Sequence, residues 1–351
     1  MEGTTSRGRS HPMMRAVSQA AAGGSDVLEV VEVPRPIPSP TEVLVRVHAA
    51  GVNPTDWKTR ARGRFMTGAV PPFILGFDVS GVVETVGPGV TIFEAGDEVF
   101  GMPKYPNPAG AYAEFLAAPA RHFAPKPTTC GHVEAAALPL AALTAWQALV
   151  DTAGVKPGDR VLVHGAGGGV GHLAVQIAKA RGAHVVGTAR SDKHPLLRAL
   201  GADELVDYTV EDFTTRVRDV DVVLDAVGGG YAARSLVSMR RGGVLVSLLE
   251  LSPDFPVKRA HELDVRALRM LVEPDHAGML AIAGLVENGS LRPIIDSVLP
   301  LCRAGEAHVL GESNRTLGKI VLTVRSPRCD TDRGPPEEFM AHPASHGMEP
   351  Q

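Results

Sequence analysis

A glycine-dense turn is the part of this chain whose residue types and spacing most clearly predict chemistry. The pattern Ala166-x-Gly168-x-x-Gly171 is the dinucleotide fingerprint with alanine in place of its first glycine. It follows an apolar run, Val161–Val163, and precedes apolar residues at helical spacing. A turn of this kind lets the backbone approach a pyrophosphate, and the N–H groups at the helix start then face the phosphates. The strand-turn-helix context favours a nucleotide site over an ordinary tight turn.

The predicted secondary-structure elements around this turn form two regions that differ in their sequence pattern. Strands alternating with helices predict a doubly wound parallel sheet, with strands near residues 161–163, 185–188, 204–206, 220–226 and 243–249. The N-terminal region has short β-branched runs separated by Gly and Pro, which are typical of a compact β-barrel domain. A helical stretch over 133–149 is interrupted by Pro139, and an amphipathic helix is predicted over 274–288. A strand over 319–324 is expected to return to the first domain.

Composition excludes several classes of protein. The chain has 351 residues, 44% of them hydrophobic, which suggests about two globular domains. A net charge of -4 argues against a nucleic-acid partner. No apolar run approaches the roughly 20 residues that span a bilayer, and the first twelve residues lack the apolar core of a signal peptide. The three cysteines are too few for a disulfide framework or a cysteine zinc site. We therefore expect a cytoplasmic protein without a membrane partner.

Several short motifs occur together in a characteristic order. They are Gly51–Asp56, Leu75–Gly81, Gly96–Gly101, Gly110–Phe115, Ala142–Trp146, Val163–Gly171, Asp225–Gly229 and Gly318–Leu322. In this respect the chain resembles the zinc-free quinone oxidoreductase, or zeta-crystallin-like, branch of the medium-chain dehydrogenase/reductase superfamily. The resemblance extends from about Arg15 to Val324. It implies a GroES-like catalytic domain interrupted in sequence by a Rossmann domain, with the active site in the cleft between them.

The resemblance also suggests domain boundaries. The expected segments are a flexible N-terminal extension (1–14), the first part of the GroES-like catalytic domain (15–135), a Rossmann NADP-binding domain (136–290), a return segment to the catalytic domain (291–325) and a disordered tail (326–351).

No metal is expected. A catalytic zinc needs three ligands from Cys, His or carboxylate side chains. The resemblance places Asn53 where the zinc-dependent relatives have cysteine and Phe77 where they have histidine, and neither side chain supplies a zinc ligand. The segment from Ala95 to Gly110 lacks the clustered cysteines of a structural zinc loop.

The end of the second Rossmann strand indicates which dinucleotide binds. The family's acidic position, which would bind the ribose hydroxyls of NAD, is Ala189 here. Arg190 and Lys193 offer positive charge to a 2′-phosphate, and Ser191 offers a hydrogen-bond donor. By resemblance Tyr208 also touches that phosphate. These residues predict NADPH, unless Arg190 and Lys193 are merely solvated surface groups.

Further cofactor contacts are expected around the turn, at strand ends and at the Gly-Lys motif. They are Gly169, Val170, Thr188, Val227, Leu248 and Lys319, in addition to the three fingerprint residues and the phosphate-binding group already named.

The resemblance also implies the residues at the reaction centre. Asn53 is expected beside the nicotinamide and substrate, although it is alternatively only a turn residue before Pro54. Thr144 is expected on the loop that enters the Rossmann domain, in contact with the nicotinamide. Relatives often carry a tyrosine where Lys58 stands, so Tyr105 is the remaining tyrosine expected near the cleft. Otherwise solvent supplies the proton.

The predicted function is hydride transfer from NADPH to a conjugated carbonyl compound, such as a quinone, enone or enoyl compound, without zinc. One alternative is a dedicated enoyl or ketone reductase of a biosynthetic pathway of the polyketide type. Another is a protein that binds NADPH without catalysis. The expected partners are a small-molecule substrate and a second copy of the chain in a homodimer.

Overall fold

The computed structural model describes residues 12–248 and 255–324. Within these ranges the strands are β1 Met13–Gln19, β2 Leu28–Pro34, β3 Glu42–Val52, β4 Phe73–Ile74, β5 Val79–Val86, β6 Glu98–Gly101, β7 Phe115–Pro119, β8 Phe123–Pro125, β9 Arg160–His164, β10 His184–Thr188, β11 Glu204–Val206, β12 Val220–Asp225, β13 Met239–Ser247, β14 Arg266–Arg269, β15 Ile295–Pro300 and β16 Lys319–Thr323. The α-helices are α1 Pro54–Arg62, α2 His132–Ala136, α3 Pro139–Trp146, α4 Gly171–Ala180, α5 His194–Ala199, α6 Phe213–Arg216, α7 Tyr231–Ser235, α8 Val257–Glu262, α9 His276–Glu287 and α10 Ala304–Glu312. No helix in the described ranges has the length and apolar character needed to cross a bilayer.

A six-stranded parallel sheet forms the Rossmann domain, in the order β11-β10-β9-β12-β13-β14. Every residue of β12 is buried, as expected of a central strand covered on both faces. The doubly wound sheet predicted from the alternating strands and helices is therefore confirmed. The sequence pattern did not reveal the edge strand β14, because four residues with exposed arginines carry little apolar signal.

A mixed sheet forms the second domain, in the order β15-β16-β3-β5-β6-β8, with β7 also pairing with β3. The long strand β3 pairs with β5 on one side and with β16 on the other. The chain thus leaves this sheet after β8, builds the parallel sheet, and comes back through β15 and β16. This architecture agrees with the predicted GroES-like domain.

The N-terminus and the interrupted helix differ in detail from the prediction. A small sheet, β2-β1-β4, begins at Met13, which lies inside the segment expected to be an extension. The helical stretch is broken where predicted, because α2 ends at Ala136 and Pro139 begins α3. Beyond Trp146 the helix continues as a π-helical stretch, Gln147–Thr152. The tail predicted over 326–351 lies outside the described residues.

Candidate functional site

The glycine-rich turn joins β9 to α4, and there is no room for a side chain where the first residue of α4 lies against the turn. A Cβ on Gly171 would overlap the carbonyl oxygen of Gly165 and lie 2.7 Å from the Cα of Ala166. Gly165 itself has a φ of +67°, a conformation that favours glycine. The methyl group of Ala166 is buried against Gly187 of β10, which explains why alanine is accepted at the first position of the fingerprint. The start of α4 is therefore seated directly on the turn.

The same turn offers backbone hydrogen-bond donors to an anion, and the aliphatic parts of two lysine side chains pass beside it. The backbone N–H groups of Gly169 and Val170 have no acceptor among the residues that the structure describes. The side chain of Lys319 passes 3.3 Å from the Cβ position of Gly169, and Lys193 lies beside Gly167. Donors at the start of a ten-residue helix, with a lysine on either side, fit the pyrophosphate of a dinucleotide.

The residues that are predicted to bind the 2′-phosphate at the end of β10 do not all lie together in the structure. Arg190 is exposed, and its Nε lies 3.4 Å from the hydroxyl of Tyr208. Lys193 instead turns toward the segment before β16, where its Nζ donates to the carbonyl of Thr316 at 2.8 Å. Ser191 is exposed, with its backbone N–H donating to the carboxylate of Asp207 at 2.9 Å. The structure thus brings Arg190 and Tyr208 together but does not bring Lys193 to them.

Thr188, the last residue of β10, is engaged within the protein. Its buried hydroxyl lies 3.1 Å from Nδ1 of His164, and the N–H of Gly165 also donates to it. Burial lowers the pKa of His164 to about 3, so the ring is neutral and structural. The hydroxyl of Thr188 therefore fixes the turn rather than pointing into the cleft.

The ends of β12 and β13 border the turn from the other side. The buried carboxylate of Asp225 accepts hydrogen bonds from the N–H groups of Val227, at 3.0 Å, and Gly228, at 2.9 Å. Val227 is exposed, with a methyl group 3.2 Å from the Cβ position of Gly165. Leu248 is half-buried, and its N–H donates to the carbonyl of Asp225 at 3.0 Å. Both predicted positions lie at the carboxyl edge of the sheet, where α/β proteins bind ligands.

A buried polar cluster forms where β16 meets the end of β3. Ile320 pairs with Val52, so the antiparallel register sets Lys319 opposite Asn53. The Nζ of Lys319 donates to Oδ1 of Asn53 and, at 3.2 Å, to Oδ2 of Asp78. The amide nitrogen of Asn53 donates to the same Asp78 oxygen at 2.8 Å. We call Asn53, Asp78 and Lys319 the amide–ion-pair cluster; their exposed fractions are 2%, 0% and 3%.

The amide–ion-pair cluster is complete within the protein. Asp78 receives a further hydrogen bond on Oδ1 from the N–H of Leu140, at the start of α3, at 2.7 Å. A buried carboxylate with three donors, one of them a cation, is well compensated for its lost hydration. One N–H of the Asn53 amide is occupied by Asp78, which leaves its second N–H as the one to offer to a substrate.

Three buried aromatic rings, Phe77, Tyr105 and Phe65, pack together next to Asp78, and we call them the aromatic wall. Phe77 makes edge-to-face contacts with Tyr105, at a centroid distance of 4.9 Å, and with Phe65, at 5.8 Å. Tyr105 is 9% exposed, and its hydroxyl lies 3.8 Å from the sulfur of Met66. Tyr105 is thus packed against the residue at the zinc-histidine position. Lys58, at the position where the resemblance leads one to expect a tyrosine, is exposed.

The expectation for the location of Thr144 is wrong. Thr144 lies inside α3 and not on a loop, because the helix that begins at Pro139 runs on to Trp146. Its hydroxyl donates to the carbonyl of Leu140, one turn earlier, at 2.6 Å. Thr144 therefore stands one helical turn from the N–H group that binds Asp78.

Metal-ligating geometry is not found in the described part of the chain. Within residues 12–248 and 255–324, no three His, Cys, Asp or Glu side chains are grouped to hold a metal ion. His172 is buried and bonded to the carbonyl of Gly168 and the N–H of Ile294, and burial lowers its pKa to about 4. It is therefore a neutral core residue that joins α4 to the segment before β15.

Sequence reasoning missed two features of this site. Asp78 received no role, although it lies inside the Leu75–Gly81 motif that carried the resemblance. Lys319 was assigned to the cofactor alone, and its contact with Asn53 was not expected. Only the pairing register of β16 with β3 reveals that contact, and no local pattern in the sequence encodes it.

Comparison with known proteins gives matches over most of the chain. Residues 39–128 match the family model of the alcohol dehydrogenase GroES-like domain, and residues 200–322 match that of zinc-binding dehydrogenase. The quinone oxidoreductase of Mus musculus is 34% identical over 330 residues, covering 88% of this chain and 98% of that protein. The structure of the quinone oxidoreductase from Coxiella burnetii has a TM-score of 0.83 at 35% identity, covering 90% of this chain and 100% of that one. The structure of an NAD-dependent alcohol dehydrogenase has a TM-score of 0.80 at 38% identity, covering 89% of this chain and 100% of that one.

Proposed function

The chain belongs to the quinone oxidoreductase-like branch of the medium-chain dehydrogenase/reductase family and is an oxidoreductase with a nicotinamide cofactor; we propose that it transfers a hydride from NADPH to a conjugated carbonyl compound without a metal ion. A dedicated enoyl or ketone reductase, or a protein that binds NADPH without turnover, remains the alternative. A homodimer in the cytoplasm is proposed with it, and light scattering of the purified protein tests the dimer.

The amide–ion-pair cluster is the observation that supports this proposal. Hydride addition to a conjugated carbonyl moves negative charge onto the carbonyl oxygen, which needs hydrogen-bond donors or a cation. Where zinc-dependent relatives use a metal, this chain has the amide of Asn53, held by the ammonium group of Lys319. A bound nicotinamide supplies the hydride; Asn53 orients the carbonyl, and the ring of Phe77 excludes water from it.

The aromatic wall favours flat, apolar substrates. Phe77, Tyr105 and Phe65 are buried and contact one another edge to face, so they give the site a rigid apolar backing that suits a planar conjugated ring. A quinone satisfies both this wall and the need for a delocalised charge. The test measures NADPH oxidation, as the loss of NADPH absorbance, with a panel of quinones, enones and enoyl thioesters as substrates. Turnover of enoyl thioesters alone would favour the dedicated reductase, and tight NADPH binding with no turnover would favour the non-catalytic alternative.

NADPH is expected to bind better than NADH because Arg190 is exposed beside Tyr208. Arg190→Ala is expected to raise the Kd for NADPH by about tenfold and to leave the Kd for NADH nearly unchanged, since only the 2′-phosphate pairs with the guanidinium. Lys193→Ala is the matched variant. Because Lys193 lies over the turn, we expect this substitution to weaken the binding of NADPH and NADH to the same extent. Fluorescence titration of the unaltered protein and of both variants with each cofactor measures the six dissociation constants. Equal affinity of the unaltered protein for NADPH and NADH would contradict the preference.

Activity is expected to be independent of metal. Asn53 and Phe77 stand at two of the positions that bind catalytic zinc in relatives, and neither side chain is a zinc ligand. Incubation with EDTA or 1,10-phenanthroline should therefore leave the rate of NADPH oxidation unchanged. Stoichiometric zinc in untagged protein, measured by plasma mass spectrometry, would overturn this expectation.

A further inference from the structure

A chain of buried polar residues lies behind Asn53 and is not used by the proposed reaction. It starts at Asp56, which is fully buried in the first turn of α1. One carboxylate oxygen accepts the backbone N–H of Asn53 at 2.8 Å, and the other accepts that of Gly76 at 3.2 Å. Asp56 therefore ties the turn that carries Asn53 to the segment that carries Phe77.

Tyr112 and His308 continue the chain away from the site. The hydroxyl of Tyr112 is hydrogen-bonded to Asp56 and lies 3.3 Å from Nε2 of His308 on α10. Both residues are fully buried. The tyrosine ring lies directly over Gly76, where any Cβ would overlap it.

Arg60 closes the chain at the far end. Its guanidinium donates to Nδ1 of His308 at 3.2 Å and to the carboxylate of Glu312 at 2.6 Å. Arg60 is buried, whereas the side chain of Glu312 is 37% exposed. The sequence Asp56–Tyr112–His308–Arg60, which we call the relay, thus links the Asn53 turn to α10, the helix that precedes Lys319.

The direction of every hydrogen bond in the relay follows from Arg60. A guanidinium only donates, so Nδ1 of His308 must accept and Nε2 must carry the proton. Nε2 then donates to the oxygen of Tyr112, and the tyrosine donates to Asp56. Burial lowers the pKa of His308 to about 3, which keeps the ring neutral, as this arrangement requires. All the donors therefore point toward the Asp56 carboxylate.

Protonation of Asp56 would conflict with this order. A protonated carboxyl is a donor, yet the groups around it are the N–H groups of Asn53 and Gly76 and the hydroxyl of Tyr112. The Tyr112 oxygen could accept from a protonated Asp56 and from Nε2 of His308 together, but its own hydroxyl hydrogen would then lose its acceptor. The relay therefore fits the ionised form of Asp56 better than the protonated form.

Burial works against that ionised form. It raises the pKa of Asp56 from 3.8 to about 7, with the charge of Asp78 acting in the same sense. The N–H groups of Asn53 and Gly76 and the charge of Lys319 oppose the rise. The titratable and charged groups that face the relay from the elements packed on it are Asp78, Tyr112, His308, Arg60, Glu312 and Lys319.

We propose that the relay is a positioning device: ionised Asp56 holds Asn53 and Phe77 in place for hydride transfer through its bonds to the N–H groups of Asn53 and Gly76, and uptake of one proton by this carboxylate releases them. Asp56, Tyr112, His308 and Arg60 act through Asn53 and are positioning residues rather than catalytic ones. The effect on turnover rests on the proposed function, whereas the protonation step itself does not.

Trp57 gives a readout that needs no substrate. Its indole lies 6.3 Å from the ring of His308 and packs against α10 at Gly311. In a Trp146→Phe background, which leaves Trp57 as the single tryptophan, emission is followed from about pH 5 to pH 9. We expect a one-proton transition near pH 7 that disappears in Asp56→Asn.

Three further variants separate the relay from a merely structural role. Tyr112→Phe removes a donor from the carboxylate and should raise the midpoint by about 1 pH unit. His308→Leu should raise it by less, because the tyrosine still donates to Asp56. His308→Gln keeps one acceptor and one donor and should leave the midpoint unchanged. A common midpoint in all variants, or a transition that survives Asp56→Asn, would overturn the proposal, even if the variants fold less stably.

The rate of NADPH oxidation with 1,4-benzoquinone gives the second readout. The acid limb of kcat is expected to share the Trp57 midpoint and to move with it in Tyr112→Phe. A kcat that does not follow the midpoint would overturn the positioning role. A Trp57 transition in a protein that reduces no quinone, enone or enoyl thioester would uphold the protonation step and overturn the proposed function.

Discussion

Replacing Gly171 by valine is expected to raise the Kd for NADPH by at least about 100-fold, equivalent to about 2.7 kcal/mol. A Cβ at this position would overlap the carbonyl oxygen of Gly165 and press on the Cα of Ala166, and both are backbone atoms that cannot move aside alone. The start of α4 must then withdraw from the turn, which also costs about 1–3 kcal/mol of folding stability. Fluorescence titration with NADPH and thermal unfolding together measure the two effects.

Neighbouring glycines provide graded controls for this prediction. A Cβ on Gly169 meets only the flexible Lys319 side chain, at 3.3 Å, and the Gly318 carbonyl, at 3.4 Å, so Gly169→Ala should retain most of the affinity. A Cβ on Gly168 would lie 3.2 Å from the carbonyl oxygen of Gly165, and its φ lies outside the left-handed region, so an intermediate loss is expected. Unchanged NADPH affinity in Gly171→Val would show that this turn does not bind the dinucleotide.

Replacing Lys319 by methionine is expected to abolish turnover and to lower the free energy of unfolding by about 3–5 kcal/mol. The substitution leaves the carboxylate of Asp78 buried without its cation and the carbonyl oxygen of Asn53 without its donor. An uncompensated buried charge is among the most costly single changes to a folded protein. Urea unfolding followed by circular dichroism gives the stability, and NADPH oxidation gives the rate.

The double variant Lys319→Met, Asp78→Asn separates charge balance from catalysis. The double variant no longer has a buried carboxylate without its cation, so most of the lost stability should return while turnover stays low. The difference between single and double variants gives the coupling energy of the pair. Unfolding of Lys319→Met at the same urea concentration as the unaltered protein would show that the pair contributes nothing to stability.

Local patterns in the sequence were sufficient to predict the Rossmann sheet and the turn. The apolar run of β12, the glycine spacing at 166–171 and the break at Pro139 each depend on neighbouring residues only. These features follow from burial, backbone conformation and helix initiation, which act over a few residues. The prediction of fold class was therefore possible before any tertiary contact was known.

The amide–ion-pair cluster and the relay depend on contacts between distant segments. Lys319 meets Asn53 across 266 residues, and His308 meets Arg60 across 248. Pairing register and helix docking determine those contacts, and neither is encoded by residue spacing. Thr144 is a different case, because the helical pattern over 133–149 already covered it and only the resemblance placed it on a loop.

The return of the chain through β16 has a consequence for biosynthesis. Lys319 pairs beside Asn53 only after the whole Rossmann domain, which lies between them in sequence, has left the ribosome. Domains emerging from the ribosome usually fold in order from the N-terminus, yet here the GroES-like domain lacks β15 and β16 until the Rossmann domain has been synthesised. Nascent chains that end before Lys319 therefore leave residues 49–52 of β3 without their partner strand and carry the Asp78 carboxylate without its cation. The amide–ion-pair cluster can therefore form only after β16 has been synthesised.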